Sequence, residues 1–401
     1  MLEISNRTLN LGTENAFVVL KEVNDLKRSG HDIVNFCIGQ PDFDTPEYIK
    51  EAAIKAIKEG KTGYTESYGI PELREAIAEY LSETRGIDVK PSSVVVANGA
   101  KPFIGYTILS VTDYGKGHEV IYPNPGFPIY ESQIRAHGAV PVPLHLREKK
   151  GFAFNIEELE RKVNERTRLL ILNSPHNPTG GVLDREDLEQ IAEVVKKYEN
   201  LWILSDEIYS RIIYDKDFVS ISSIPEMQER TIILDGMSKT YAMTGWRIGF
   251  AANERLADHF ARWVTNTNSC AAHPNQYAAL AALTGPQDDV ERMVQSFKRR
   301  RDIIVKGLNE IEGVDCLLPY GAFYVWPNVT EACRLTGAKD SEEFRENLLY
   351  KAGVAVLSDI HFGQKIEGEG EHIRLSYATS EGNILEGLRR IREYLEENRK
   401  H

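Results

Sequence analysis

The feature that most constrains the fold is a series of short, almost uninterrupted apolar runs separated by segments with helical periodicity. Runs in which apolar residues do not alternate with polar ones are typical of strands buried on both faces of a sheet. Between two such runs, residues 184–199 place Leu188, Ile191 and Val195 on one helical face. Strand, helix and strand in this rhythm predict crossover units on a mostly parallel sheet. The seven runs are residues 94–97, 119–123, 140–144, 168–173, 201–206, 231–236 and 247–252.

The pattern of charged and apolar residues changes after about residue 285, where long charged helical segments surround short apolar stretches. We interpret this region as a smaller α+β domain, which the N-terminal residues join. The predicted class is therefore α/β, with a mostly parallel seven-stranded sheet between helices in a large domain, plus the α+β domain. The predicted division assigns residues 1–45 to an N-terminal arm and part of the small domain, 46–285 to the large domain and 286–401 to the small C-terminal domain.

The composition excludes several classes of protein. The 401 residues are 42% apolar, which is enough for one large domain with a smaller partner. The net charge of −12 disfavours binding to a phosphate backbone, so we expect no nucleic acid partner. The four cysteines lie far apart without a CxxC pair, so neither a metal site nor a dense set of disulfides is predicted.

The sequence shows no signal for export or for membrane insertion. Residues 1–17 are polar and lack the charged head and the apolar run of a signal peptide. No stretch approaches the roughly 18 to 20 uninterrupted apolar residues that a membrane-spanning helix needs. We therefore expect a cytoplasmic protein with no membrane partner.

Chemically active side chains directly follow four of the apolar runs. In an open parallel sheet a ligand lies beyond the carboxyl ends of the strands, so these four ends belong to one region. The region combines a small-residue turn, an amide, a carboxylate, a phenol and a lysine, and Arg247 follows one turn later. Each group alone has an ordinary explanation as a turn, a cap or a solvated charge. The segments are NGAK at 98–101, SPHNPTG at 174–180, DEIY at 206–209 and GMSK at 236–239.

One cofactor, pyridoxal phosphate, requires this complete set of groups. It needs an amine for a Schiff base, and Lys239 is the candidate. It needs an anion opposite its pyridinium nitrogen, and Asp206 would keep that nitrogen protonated. Asn177 and Tyr209 would donate hydrogen bonds to its phenolic oxygen.

The phosphate of such a cofactor needs its own pocket. Gly99, Ala100 and Lys101 form a turn with little side-chain bulk ahead of a predicted helix, so their backbone N–H groups would face the dianion. Arg247 would clamp the same phosphate with its planar guanidinium.

The motifs resemble, in family order and over nearly the whole chain, the class I pyridoxal-phosphate aminotransferases of fold type I. The similarity is greatest to the prokaryotic aspartate aminotransferase subgroup. Order and spacing are far more specific than any single motif. The matching segments are IGQPDFDTP, YTESYGIPELREAI, NGAKP, NPGFPIY, NSPHNPTGG, SDEIYSR, SKTYAMTGWRIGF, GAFYVWP and IRLSYATS.

The resemblance implies further roles. Lys239 is the implied Schiff-base lysine and proton shuttle, with Asp206 and Tyr209 acting in catalysis beside it. The resemblance implies that Asn177 contacts both the cofactor and the substrate. The family pattern also makes Phe127 the aromatic ring stacked on the cofactor, Tyr64 a contact to the phosphate of the neighbouring subunit, and Gly39 and Arg374 the contacts to the substrate carboxylate. A homodimer with shared active sites is implied.

Three positions depart from the family pattern. Phe127 stands where tryptophan is common, which alters the stacking without preventing it. Gly236 stands where many relatives carry a phosphate-binding serine, so one hydrogen bond to phosphate is expected to be missing. Gln40 replaces the more common glutamate, and the sequence gives no consequence for that change.

The implied reaction is a ping-pong transamination between an L-amino acid and a 2-oxo acid, commonly 2-oxoglutarate in this family. Lys101 stands where some relatives pair with an acidic substrate side chain, which favours aspartate and glutamate. Glu14, in an N-terminal segment that often covers the substrate, would repel them. Aromatic amino acids and alanine are therefore alternative amino donors. A β-lyase or decarboxylase reaction on the same scaffold is an alternative activity. A nucleotide-binding enzyme has little support, because neither of its glycine-rich phosphate motifs is present.

Overall fold

A computed structural model describes residues 2–400 of the chain. Its largest element is a seven-stranded sheet, accompanied by a two-stranded and a three-stranded sheet. The strands in chain order are β1 Val34–Asn35, β2 Val94–Ala97, β3 Glu119–Asn124, β4 Val140–His145, β5 Thr167–Asn173, β6 Trp202–Asp206, β7 Thr231–Gly236, β8 Gly249–Ala252, β9 Tyr324–Val325, β10 Val354–Ala355, β11 Leu357–Ser358 and β12 Ile373–Ser376.

The large sheet has the strand order β2-β8-β7-β6-β5-β3-β4. Only β8 runs antiparallel to its neighbours, with Gly249 opposite Ala97 of β2 and opposite Gly236 of β7. The other neighbouring pairs are parallel. All seven apolar runs are strands of this sheet, so the predicted mostly parallel architecture is confirmed.

Helices cover both faces of the sheet. Some of them begin at a side-chain cap, as in the reciprocal capping box of Asp184 and Asp187 at the start of residues 185–195. The helices are α1 Asn6–Leu9, α2 Asn15–Arg28, α3 Glu47–Lys58, α4 Pro71–Arg85, α5 Pro102–Val111, α6 Ile129–Ala136, α7 Ile156–Lys162, α8 Arg185–Val195, α9 Met237–Thr240, α10 Ala257–Thr267, α11 His273–Thr284, α12 Asp288–Asn309, α13 Thr330–Thr336, α14 Ser341–Asn347 and α15 Glu381–Glu397.

The alternation of side chains along each strand divides the core between the two faces. In β2, Val95 packs in the cluster that includes Phe103 of α5 and Phe260 of α10. Val96 points to the opposite face and joins the cluster of Leu73 from α4. Because both faces are covered, the side chains of the sheet are nearly all buried, apart from those of the edge strand β4.

The last third of the chain forms the smaller sheets and joins the N-terminal residues. β1 pairs in parallel with β10, and β12 pairs antiparallel with both β9 and β11. The long helices α12 and α15 pack against each other beside these sheets. Within residues 2–400, no helix is both long enough and apolar enough to span a bilayer.

Candidate active site

The predicted site residues meet at one edge of the large sheet. β2, β5, β6 and β7 point their carboxyl ends toward this edge, and the antiparallel β8 begins there, which brings Arg247 beside them. A cavity of about 450 Å³ opens at this edge. Ten predicted residues line it: Gly39, Ala100, Lys101, Phe127, Asn177, Asp206, Tyr209, Lys239, Arg247 and Arg374.

Two predicted residues do not line the cavity. Gly99 directly precedes Ala100 in the turn after β2 and lies behind the cavity wall. Tyr64 lies outside the cavity altogether, and 88% of it is exposed. Nothing within a single chain brings Tyr64 to the cavity.

Lys239 lies in the short helix α9, directly after β7. Its ammonium group donates a hydrogen bond to the backbone oxygen of Gly39 at 2.5 Å. Burial lowers the pKa of Lys239 to about 8, and Glu14 opposes part of this shift. An amine whose pKa lies this close to neutrality can both accept and release a proton.

Asp206 is the last residue of β6 and is buried at the back of the cavity. The hydroxyl of Tyr130 donates to its carboxylate at 2.6 Å, and the backbone N–H of Ile208 donates at 3.3 Å. Burial raises the pKa of Asp206 to about 6, while these hydrogen bonds work in the opposite direction. A buried carboxylate of this kind favours a cationic partner.

Tyr209 and Tyr324 form a pair that the sequence reasoning missed in part. Their hydroxyls lie 2.8 Å apart, and both side chains are buried. The hydroxyl of Tyr324 also approaches Gly39 so closely that a Cβ atom at position 39 would lie 2.1 Å from it. Glycine at position 39 is therefore a packing requirement of this wall.

Arg374 is buried between aromatic rings, with its guanidinium carbon 4.4 Å from the ring centre of Tyr324 and 4.7 Å from that of Phe362. It donates to the side-chain oxygen of Asn177 at 3.0 Å and to the backbone oxygen of Cys37 at 2.7 Å. Its Nε atom is buried and has no hydrogen-bond partner within residues 2–400. A buried cation with an unused donor is suited to a carboxylate ligand.

The turn after β2 packs tightly against Arg247. Gly99 has φ of +90°, and a Cβ atom there would lie 2.2 Å from Nη2 of Arg247. Arg247 itself has a left-handed backbone, with φ of +57°, and donates to the backbone oxygen of Thr244 at 2.9 Å. The turn leads into α5, so positive groups of two kinds, a guanidinium and a helix N-terminus, lie side by side.

Lys101 and Phe127 stand at the mouth of the cavity. The ammonium group of Lys101 lies 5.4 Å from the ring centre of Phe127 and 2.7 Å from a carboxylate oxygen of Glu14. Glu14, which the sequence placed in a covering segment, therefore pairs with Lys101 across the mouth.

The three departures from the family pattern have different surroundings. Gly236 faces Gly249 in the β7–β8 ladder, and a Cβ atom at position 236 would lie 2.8 Å from the Cα atom of Gly249. A serine there would require the backbone to shift. Gln40 and Phe127 both line the cavity.

Sequence reasoning missed two tyrosines of this site, Tyr130 and Tyr324. Tyr130 lies three residues after Phe127, one helical turn along the quoted segment NPGFPIY, and that spacing was the available signal. Within residues 2–400, no group of three or more potential metal ligands occurs.

Comparison with known proteins agrees with this arrangement. A family profile described as aminotransferase class I and II matches residues 31–391. A probable aspartate/prephenate aminotransferase of Aquifex aeolicus is 41% identical, over 98% of this chain and 99% of its own. The structure of an aspartate aminotransferase from Rhizobium meliloti superposes with a TM-score of 0.93 at 34% identity, covering 100% of both chains. An aromatic aminotransferase from Pyrococcus horikoshii superposes at 0.85 with 39% identity, over 94% of this chain and 99% of its own.

These similarities extend over essentially the full length, so they confirm the resemblance drawn from the motifs and the α/β fold of type I that it implied. The profile match covers the strand ends, the small sheets and every residue that lines the cavity except Glu14 and Phe17. The chain therefore belongs to the class I and II aminotransferase family and is a transaminase.

Proposed function

We propose that the cavity binds pyridoxal phosphate and that the protein transfers an amino group from an acidic L-amino acid to a 2-oxo acid in a ping-pong reaction. The observation that carries the proposal is the convergence of a buried lysine, a buried carboxylate and a buried arginine with an unused donor on one cavity. When bound, the cofactor withdraws electrons from the α-carbon of the amino acid, so that its proton can be removed.

Lys239 is suited to hold the cofactor and to move that proton. With a pKa of about 8, roughly a quarter of the amine is neutral at pH 7.5. At the ordinary lysine pKa of 10.5, only about one part in a thousand would be neutral. Burial thus supplies the nucleophilic and basic form of the amine.

Asp206 would act as the anionic partner of the ring nitrogen. A cation beside a buried carboxylate offsets the cost of burial and returns its pKa toward the ionised range. The hydrogen bond from Tyr130 would hold the carboxylate in place. Tyr209 and Asn177 offer the donors for the phenolic oxygen, and Phe127 offers an aromatic face.

The phosphate would lie between Arg247 and the turn of Gly99, Ala100 and Lys101. Because Gly99 has no Cβ, the guanidinium of Arg247 reaches the turn. Backbone N–H groups at a helix start and a planar cation are the groups that bind a phosphate dianion best.

The α-carboxylate of the substrate would bind Arg374. Asn177 and Cys37 hold its guanidinium in position at the wall of the cavity, where a carboxylate would meet its positive charge. Gly39 leaves room beside Tyr324 and presents its backbone oxygen to Lys239.

An acidic donor is favoured by Lys101 at the mouth of the cavity and by the aspartate aminotransferase names of two relatives. The aromatic relative keeps an aromatic donor as the second candidate, because Phe17 and Phe127 also face this space. A lyase or decarboxylase would release product without a 2-oxo acid acceptor, so product analysis with and without acceptor separates these reactions.

We further propose a cytoplasmic homodimer with shared active sites. The support is Tyr64, which is exposed in the single chain, together with the exposed apolar side chains of Ile54 and Ile57 on the nearby helix α3. Apolar groups in such a patch favour association with a second copy.

The first test is spectroscopic. We expect the purified holoenzyme to absorb visible light, and aspartate or glutamate to bleach that band. Borohydride should fix a cofactor-sized mass on Lys239, as read by peptide mass spectrometry. In Lys239→Ala the mass should be absent and transamination should fall by several orders of magnitude.

The matched control is Lys197→Ala, which removes an exposed lysine that does not line the cavity and should change neither band nor activity. A Lys239→Ala protein that still trapped the cofactor on borohydride treatment would refute the assignment of the lysine.

A further inference from the structure

The carboxylate of Glu14 has an unusual position at the mouth of the cavity. Glu14 is the residue before helix α2, yet its side chain makes no capping hydrogen bond to that helix. Instead it lies 2.7 Å from the ammonium group of Lys101, with 22% of the Glu14 side chain and 43% of the Lys101 side chain exposed. The pair therefore joins the N-terminal segment to the turn after β2.

Among the residues described as lining the cavity, the charges are four cations and two carboxylates. Asp206 is held by Tyr130 at the back, so Glu14 is the carboxylate at the mouth. Arg247 and Lys239 donate their hydrogen bonds to backbone oxygens. Lys101 differs from them, because its partner is an ionic side chain of the protein itself.

The surroundings of this pair are apolar and aromatic. The ammonium group of Lys101 lies 6.0 Å from the ring centre of Phe17 and 5.4 Å from that of Phe127. Ile38 lines the same cavity. While the pair is intact, this part of the cavity therefore presents rings and an internally neutralised charge, which is a surface suited to an uncharged substrate side chain.

We propose that Glu14 is a specificity-determining residue that competes with the side-chain carboxylate of an acidic substrate for Lys101. An uncharged side chain packs against the intact pair, whereas an acidic one displaces Glu14 and takes its place on Lys101. The inference rests on the proposed function and deepens it, since it names the residue that sets the preference between acidic and uncharged donors in this cavity.

The exposure of the pair makes this exchange feasible. Partly exposed ion pairs are weak because water screens them, so the carboxylate of a substrate can replace Glu14 at a small cost. The same carboxylate meets repulsion from Glu14 as it approaches. Removing the charge of Glu14 should therefore favour acidic substrates by about tenfold and give uncharged ones no gain, because Lys101 is then left without its internal partner.

The experiment compares Glu14→Gln with the unchanged holoenzyme. In a ping-pong reaction kcat/KM for a donor does not depend on the acceptor, so aspartate and phenylalanine can be compared directly. We expect kcat/KM for aspartate to rise about tenfold and that for phenylalanine to fall or stay unchanged. In calorimetric titrations, Kd for maleate should fall by a similar factor, while Kd for 3-phenylpropionate should rise or stay unchanged.

Two variants control the result. Asp25→Asn removes an exposed carboxylate from helix α2, which Glu14 directly precedes. It should change neither of the two kcat/KM values and neither of the two Kd values. Lys101→Met should weaken maleate binding, and Glu14→Gln should have no further effect on maleate in that background, because the competition needs both partners.

Equal changes for both substrates and both ligands in Glu14→Gln would overturn the inference, and so would a maleate Kd that is unchanged or raised. A holoenzyme that transaminates none of the amino acids would instead overturn the proposed function. The maleate titration would still decide the role of Glu14 in that case.

Discussion

At the scale of single residues, Arg374 connects the cavity to the most distant parts of the sequence. Its guanidinium is fixed by the backbone oxygen of Cys37, 337 positions away, and by Asn177, 197 positions away. Two of its three nitrogens are thereby held by the protein itself, and the guanidinium has one position at the wall of the cavity. Such prior positioning lowers the entropic cost of binding a carboxylate.

Replacement of Arg374 by alanine should therefore strongly lower the catalytic efficiency. We expect kcat/KM for every amino acid to fall by the equivalent of about 3 to 5 kcal/mol, the range for truncating one partner of a desolvated charge pair. The visible absorption of the bound cofactor should be retained. Steady-state kinetics together with cofactor absorbance provides the measurement, and an unchanged kcat/KM would refute a role in substrate binding.

Residue types at strand ends could be predicted, but their partners could not. Asp206 and Lys239 could be predicted to lie at this edge, because Asp206 ends one buried run and Lys239 comes three residues after another. The hydroxyl that holds Asp206 comes from Tyr130, 76 positions earlier, and Tyr209 meets Tyr324 at a separation of 115. A tyrosine on a helix or a short strand has no mark in one sequence that distinguishes a site hydroxyl from ordinary packing.

At the scale of elements, a buried ionic cluster fastens α4 to the ends of β6 and β7. Arg85, the last residue of α4, donates to Glu207 at 2.9 Å and to Asp235 at 2.7 Å, and all three side chains are at most 2% exposed. Ser210 donates to Asp235 at 3.3 Å. The cluster lies directly behind the strand ends that carry Asp206 and Lys239.

Replacing Arg85 by methionine should loosen this junction. Two carboxylates would be left buried near each other without a cation, which costs about 3 to 5 kcal/mol in the free energy of unfolding. Denaturant titration of the holoenzyme should show a lowered midpoint. Adding Glu207→Gln and Asp235→Asn should restore most of the loss, because the unpaired charges are then removed. If the midpoint of Arg85→Met equals that of the unchanged protein, the cluster does not stabilise the fold.

Elements buried on both faces were predictable because burial leaves a continuous apolar run. Four strands of the small sheets, β1, β9, β10 and β11, have two residues each, too few to show a period. The arginine triplet 299–301 on α12 reads in sequence as a solvated face with one residue turned inward. Two are in fact buried, since Arg300 pairs with Asp42 and Arg301 with Asp215, partners from distant loops.

At the scale of the whole molecule, the division at residues 45 and 285 stays a prediction. The pairing of β1 with β10 agrees with an N-terminal segment that joins the last part of the chain. One continuous apolar cluster, however, includes Leu73 of α4 and Leu388 of α15, so burial does not by itself mark a boundary.

The oligomeric state is the prediction at this scale. We expect light scattering after size-exclusion chromatography to give twice the chain mass of 45.3 kDa. Tyr64→Phe should weaken retention of the cofactor without changing that mass, because only a hydroxyl is lost at an exposed position. A monomer with full activity would exclude the shared active site.

The facing glycines 236 and 249 also restrict how this protein can change in evolution or in engineering. A serine at position 236 would add a hydroxyl donor at the end of β7, but its Cβ would collide with the neighbouring strand. That collision involves backbone, so no rotamer change relieves it. The hydroxyl therefore cannot be added by one substitution alone, because β7 and β8 must first move apart at this position.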